Sequence, residues 1–215
     1  MHRGPHRLFY VLTCGALRAF LLCFHRFRVR GQDSLGLPRR VIVVANHCSN
    51  LDPMVVGVSF PWTLRYLAKT ELFRTPFFGF LIRNLGAIAV EREDSQRAGA
   101  VLKLLLDLLE EGQSVLLFPE GHRSRDGFLQ PLEGGFALLS LKTGVPVVPA
   151  VISGTFEALP PGGKWRWKPV SICYGSPIDP ASIPSELPDK ARRRLLVEKV
   201  ERSLRSMGAK GAGSP

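Results

Sequence analysis

Residues 41–53 read VIVVANHCSNLDP: five apolar, mostly β-branched positions, then a polar loop that closes on Asp52-Pro53. A run that is apolar at every position, rather than at alternate ones, suits a strand covered on both faces. Asp followed by Pro is a favoured N-cap and first helical position. The segment therefore predicts a buried strand, a loop and a helix start. Similar runs follow along the chain: LRYLA (64–68), GAIAV (86–90), SVLLF (114–118), VPVVPAVI (145–152) and SICYG (171–175). Between the third and fourth strands, residues 96–110 place Val101, Leu104, Leu105, Leu108 and Leu109 at helical spacing behind a Ser95 cap. Asp189 opens a further helix with Leu196, Val200, Leu204 and Met207 on one face and most of its basic residues on the others. That helix either packs on the sheet with a solvated basic face or turns the face to lipid. Strands alternating with helices give an α/β class: a single domain with a mostly parallel or mixed central sheet flanked by helices.

At 215 residues the chain has length for one well-filled domain, and 45% hydrophobic residues are enough for its core. Its net charge is +11, which calls for an anionic partner. The excess is not spread evenly. Residues 1–40 carry +7, residues 164–215 carry +6, and the body between them carries −2. A nucleic-acid reader concentrates basic residues on the folded module, whereas a near-neutral body with basic flanks suits a domain held against anionic lipid. Trp165-Arg166-Trp167-Lys168 mixes aromatics with cations in a way that also fits a membrane interface. Four scattered cysteines, Cys14, Cys23, Cys48 and Cys173, show no C-x-x-C spacing, so reduced thiols are expected and no metal site is read from them.

Residues 8–24, LFYVLTCGALRAFLLCF, are apolar apart from Arg18 and are flanked by Arg3, Arg7, Arg26, Arg28 and Arg30. A spanning helix needs about 20 apolar residues, and a central Arg costs at least about 2.5 kcal/mol. No small-x-small cleavage site follows, which argues against a signal peptide. The expectation is a membrane-associated helical segment lying in the interface. A first helix packed on the domain is the other reading.

The loop after the first strand carries His47 and Asp52. Five residues of regular helix would set them roughly 140° apart. With His47 in the loop and Asp52 at the helix start, the carboxylate can turn back to hold one imidazole nitrogen while the other faces a substrate hydroxyl. A capping Asp beside an incidental loop His is the competing reading. Cys48 is a poor nucleophile candidate, because neighbours in sequence point apart. A second loop, FPEGHRSRDG (118–127), also follows a strand; its backbone N–H groups and Arg123 suit an anion, while Glu120 in such a loop more often satisfies backbone. Lys69 and Arg92 close two other strands. With Arg123 they form a candidate phosphate clamp, although any one alone reads as a solvated charge.

Four ordered blocks, Asn46-His47-x4-Asp52, Gly86 to Arg92 (GAIAVER), Phe118 to Ser124 (FPEGHRS) and Val145 to Pro149 (VPVVP), resemble the glycerolipid acyltransferases, in particular the bacterial 1-acyl-glycerol-3-phosphate type. The stretches KTELF (69–73) and PFFG (76–79) fit as well, and the resemblance runs from about Val29 to Gly175. It implies an acyl-CoA or acyl-carrier-protein donor as co-substrate without a further cofactor, and transfer to the sn-2 hydroxyl of lysophosphatidate to give phosphatidic acid in phospholipid biosynthesis. It also implies His47 as general base, Asp52 as its partner, and Arg92, Glu120, Gly121 and Arg123 around the acceptor, with Lys69 a further phosphate contact. The third block departs from the family pattern, which commonly has Thr where this chain has His122. That imidazole either replaces the hydroxyl in a loop hydrogen bond or touches phosphate and alters acceptor choice.

The expected organisation is a basic amphipathic anchoring segment over residues 1–30, an acyltransferase domain over 31–207 and a flexible tail over 208–215. The expected partners are anionic membrane lipids, the donor and lysophosphatidate, not nucleic acid. The expected place is the cytoplasmic face of the cell membrane, held peripherally or monotopically. Two other functions stay open: acyl transfer to another lysolipid, such as a lyso-ornithine lipid, and a non-catalytic membrane-binding module whose His-Asp pair is structural.

Overall fold

The computed structural model describes residues 7–32, 40–91 and 98–211. Its framework is a seven-stranded sheet in the order β1-β7-β6-β2-β5-β3-β4. The strands are β1 (Arg28–Arg30), β2 (Ile42–Ala45), β3 (Leu64–Lys69), β4 (Ala87–Val90), β5 (Ser114–Leu117), β6 (Val147–Ser153) and β7 (Ser171–Tyr174). β2 to β6 run parallel to one another, β7 is antiparallel to β6, and β1 is parallel to β7. The mixed sheet is the class expected from the alternating pattern.

β2 lies at the centre, and all four of its residues are buried. Its alternate side chains serve two separate cores. Val43 and Ala45 join Met54, Val55 and Val58 of α2 (Asp52–Ser59), Ile82 of α3 (Pro76–Asn84) and Leu21 of α1 (Arg7–His25). Ile42 and Val44 join Leu105, Leu108 and Leu109 of α4 (Ala98–Glu110) and Phe136 and Leu139 of α5 (Gly135–Thr143). Leu196, Val200 and Leu204 of α7 (Asp189–Ser206) complete that second core, which confirms the packed apolar face of the C-terminal helix. A short α6 (Thr155–Ala158) follows β6. Ser95, the expected cap of α4, lies outside the described residues.

Three details differ from expectation. The N-terminal helix ends at His25, and Arg28–Arg30 join the sheet as its edge strand, register Arg28 opposite Ser171. Only Val29 of that strand packs inward, so one apolar residue between two arginines shows no strand pattern within the segment assigned to the anchor. The tail is tied down as far as Gly211: Leu129 N–H donates to Lys210 O at 2.7 Å and Leu129 pairs with Gly211. Residues 212–215 lie outside the described residues. Finally, Asp52 does not cap α2, whose N-cap is Leu51. Its carboxylate is used elsewhere, as described next.

α1 has both relationships considered for it. Leu21 and His25 are buried, and Leu17 and Phe20 pack on the first core. Leu8, Phe9, Val11, Leu12, Leu22 and Phe24 are exposed. By length and composition, residues 8–25, with a mean hydropathy of 1.7, could also cross a bilayer.

Candidate active site

The loop that leaves β2 is fixed at its first residue. Asn46 Nδ2 donates to Ile152 O at 2.9 Å while its Oδ1 accepts from Ile152 N at 2.7 Å, so the side chain extends the sheet by one backbone-like pair. The chain then turns around Asp52, which is fully buried. One carboxylate oxygen, Oδ2, accepts from Cys48 N (2.7 Å), Ser49 N (2.7 Å) and His47 Nδ1 (2.9 Å). Asp52 therefore caps its own loop rather than its helix, because the backward-facing N–H groups of residues 48 and 49 would otherwise be buried without an acceptor. Ser49 adds a second tie, donating through Oγ to Leu159 O at 2.7 Å.

This geometry sets the imidazole. A carboxylate only accepts, so Nδ1 carries the proton and Nε2 is left as a base. The ring stacks on Phe118 with centroids 4.1 Å apart, and the side chain keeps 16% of its surface exposed. It borders a cavity of about 780 Å³. Asn50, Lys69, Gly121, His122, Arg123 and Arg125 form its polar part, and Met54, Leu72, Phe78, Ile82 and Phe118 contribute to its apolar part. A cation-rimmed cavity with an apolar interior suits a ligand that is anionic at one end and hydrocarbon at the other.

His47, Lys69, Gly121 and Arg123 thus come to one cavity, as the sequence suggested. Arg92 lies outside the described residues. Glu120 is placed beneath the loops and not among the cavity's lining residues. It is buried, accepting from His47 N through Oε1 (2.6 Å) and from Gln130 N through Oε2 (2.9 Å). Burial pushes its carboxyl up to about 7, against the lowering effect of those two N–H donors. This is the backbone-satisfying role that its loop position indicated. Gly121 turns the same loop at φ +72°, and a Cβ there would stand 3.1 Å from Glu133 Oε1. Its N–H is committed to Phe118 O at 3.2 Å.

His122 makes no protein hydrogen bond among the described residues and borders the cavity, so it does not replace a loop hydroxyl. Arg123 donates to Asn50 Oδ1 at 3.0 Å, bridging the two loops at the rim. Asn50, Phe118 and Arg125 were not singled out from the sequence. Arg125 was within reach of that reading, two residues beyond Arg123 in the same polar loop; Asn50 and Phe118 are recognisable only once two strand ends are adjacent. Cys48 is buried with Sγ 3.4 Å from Thr155 Oγ1. Burial, reinforced by Asp52, pushes its thiol up, opposite to what a nucleophile requires.

Residues 26–153, which contain both loops, match the family model described as acyltransferase. The chain belongs to the acyltransferase family. It is 33% identical over 142 residues to the chloroplastic 1-acyl-sn-glycerol-3-phosphate acyltransferase BAT2 of Brassica napus, covering 66% of the chain and 41% of that protein. It is 26% identical to the 1-acyl-sn-glycerol-3-phosphate acyltransferase of Bacillus subtilis over 201 residues, covering 92% and 96% of the two chains. Its fold matches the crystal structure of the 1-acyl-sn-glycerophosphate (LPA) acyltransferase PlsC of Thermotoga maritima with a TM-score of 0.73 and 30% identity, over 94% of this chain and 81% of that one. It spans 41% of the Brassica napus relative's length and 60% of that of a Borreliella burgdorferi relative.

Proposed function

We propose that the protein transfers a fatty acyl group from acyl-CoA or acyl-carrier protein to the sn-2 hydroxyl of 1-acyl-glycerol-3-phosphate, yielding phosphatidic acid for phospholipid synthesis. The observation that carries this reading is the Asp52-held imidazole, whose free nitrogen lies on a cavity with cations at its rim and hydrocarbon-lining residues inside. Lys69, Arg123 and Arg92 take the acceptor phosphate. The names of the relatives support the same acceptor.

His47 Nε2 removes the acceptor hydroxyl proton as that oxygen attacks the thioester carbonyl. The carbonyl oxygen gains the charge, and the backbone N–H groups of His122 and Arg123, which have no protein partner among the described residues, are the candidate donors to it. Collapse of the tetrahedral intermediate breaks the C–S bond, and the imidazolium returns its proton to the departing thiolate. The balance closes with the two co-substrates and needs neither an acyl-enzyme nor a further cofactor. Asp52 accepts from Nδ1 throughout and stabilises the imidazolium. The work is done at the cytoplasmic face of the membrane, where the apolar exposed side of α1 holds the enzyme peripherally.

Incubating the full chain with radiolabelled acyl-CoA and lysophosphatidate, and separating the lipids by chromatography, tests the assignment. Labelled phosphatidic acid is expected. A panel of lysolipids in the same assay reads the contribution of His122 and Arg125 at the rim, and preference for a larger head group or for a lyso-ornithine lipid would move the acceptor assignment. Vesicle binding with no thioester cleavage across the panel would leave only a membrane-binding module. Arg123→Ala is expected to raise the acceptor KM about tenfold, the worth of a charge-assisted hydrogen bond, with donor KM unchanged. A change in donor-length preference at constant acceptor KM would refute its phosphate role.

A further inference from the structure

We propose that the corner where α1 meets β7 is an anionic-phospholipid site, with Phe24, Trp165 and Trp167 entering the acyl boundary of a bilayer and Arg26, Arg28 and Arg30 gripping lipid phosphates. The aromatic part projects from the domain. Phe24, Trp165 and Trp167 are 53%, 38% and 61% exposed. They nevertheless form one packed unit, with Phe24 5.1 Å from Trp167 and Trp165 5.9 Å from Trp167 between centroids. Exposed tryptophans held rigidly next to an exposed Phe are poorly suited to water and well suited to the headgroup level of a membrane.

His25 binds this unit together. It is fully buried, its Nδ1 lies 2.7 Å from Lys168 O, and its ring meets that of Trp165 edge-on at 5.1 Å. Val170 N donates to His25 O at 2.8 Å. The loop before β7 is thereby fastened to the end of α1, so the tryptophans and the apolar exposed side of the helix move as one body.

The basic part adjoins it. Val29 packs inward, so Arg28 and Arg30 project to the opposite side of the sheet, where with Arg26, Ser153 and Ser171 they line a groove of about 460 Å³. Arg26 holds φ +46°, the one positive-φ residue other than glycine among the described residues, a conformation that side chains with a Cβ rarely adopt. Neither residues 18–32 nor residues 160–175 contain an Asp or Glu, while together they contain Arg18, Arg26, Arg28, Arg30, Lys164, Arg166 and Lys168. That charge is complementary to an anionic bilayer.

The location gives the site its use. Ile152 pairs with Asn46, and Ser153, Ser171 and Arg28 follow in register along the same sheet edge. The site therefore lies three strand spacings, about 14 Å, from the strand that carries His47. Docking it turns the cavity mouth toward the lipid that supplies the acceptor, an orientation that rests on the proposed acyl transfer.

The test uses the full chain with Trp62→Phe, so that only Trp165 and Trp167 emit. Vesicles containing phosphatidylglycerol with brominated acyl chains are expected to quench that emission, and neutral phosphatidylcholine vesicles to capture less protein. Lys164→Gln/Arg166→Gln/Lys168→Gln is expected to lower partition onto the anionic vesicles on the order of a hundredfold at low salt. Arg26→Gln/Arg28→Gln/Arg30→Gln is expected to do the same, and soluble glycerol phosphate is expected not to displace the wild type. Turnover of detergent-dispersed acceptor should survive in both triple variants. Absence of quenching, equal capture by neutral and anionic vesicles, or displacement by glycerol phosphate overturns the site. Capture and quenching by a chain that transfers no acyl group support the lipid site and refute the acyl transfer.

Discussion

His47→Ala is expected to lower kcat by roughly 10³-fold or more while leaving the thermal unfolding midpoint close to that of the wild type. General-base assistance contributes about 10²–10⁴-fold, and the alanine also leaves the hydroxyl proton without any acceptor at that position. The fold should tolerate the change because the ring packs on Phe118 at a cavity wall, and Asp52 retains its bonds from Cys48 N and Ser49 N. Asp52→Asn offers the complementary measurement. Its amide oxygen, kept at the position that accepts from Cys48 N, Ser49 N and Nδ1, holds the ring in place but removes the negative charge that stabilises the imidazolium. A loss of similar size is expected, measured as turnover of labelled acyl-CoA by purified protein. Near-normal turnover in His47→Ala would end the general-base assignment.

The largest effect on stability is expected at Glu120. Glu120→Ala removes the acceptor for His47 N and for Gln130 N together. Each unpaired N–H costs about 1–3 kcal/mol, so unfolding in urea should shift by about 2–6 kcal/mol, and activity should fall because the same bond positions His47. The carboxyl is also pushed up to about 7, chiefly by burial. Between its ordinary value near 4.5 and about 7, the folded chain holds a proton that the unfolded chain has lost. Stability from this group is therefore fully present below about pH 4.5 and declines as the pH rises through about 7. Glu120→Gln, which cannot titrate, should lose that slope. Urea midpoints measured from pH 4.5 to 8 check it, and an unchanged slope in Glu120→Gln would place the titration elsewhere.

β2, β5 and β6 were the most legible strands, because near-complete burial writes an apolar residue at almost every position. β1 failed that criterion: it has one inward residue between two arginines, and an edge strand of three residues carries almost no pattern. The pairing of His47 with Asp52 in the first loop was legible, since a carboxylate near a histidine after a buried strand restricts what the pair can do. What Asp52 bonds to was less legible. Asp-Pro at a helix start favours capping, but the loop's own N–H groups were nearer and had no other acceptor. Glu120 carries two readings. The motif placed it around the acceptor, whereas its residue type in a tight loop pointed to the backbone role that the structure displays. Asn50 and Phe118 enter through a third kind of information, the adjacency of β2 and β5 across the sheet.

Only Arg26 and Phe27 separate α1 from β1. A domain on a long flexible linker samples a volume that grows with linker length, and its reacting groups reach a membrane at many heights. Two residues, one of them buried, permit no such search. The distance from His47 to α1 is therefore a fixed dimension of the molecule; on the proposed reading, lengthening this junction by a few glycines is expected to lower acyl transfer on bilayers and to spare it in detergent.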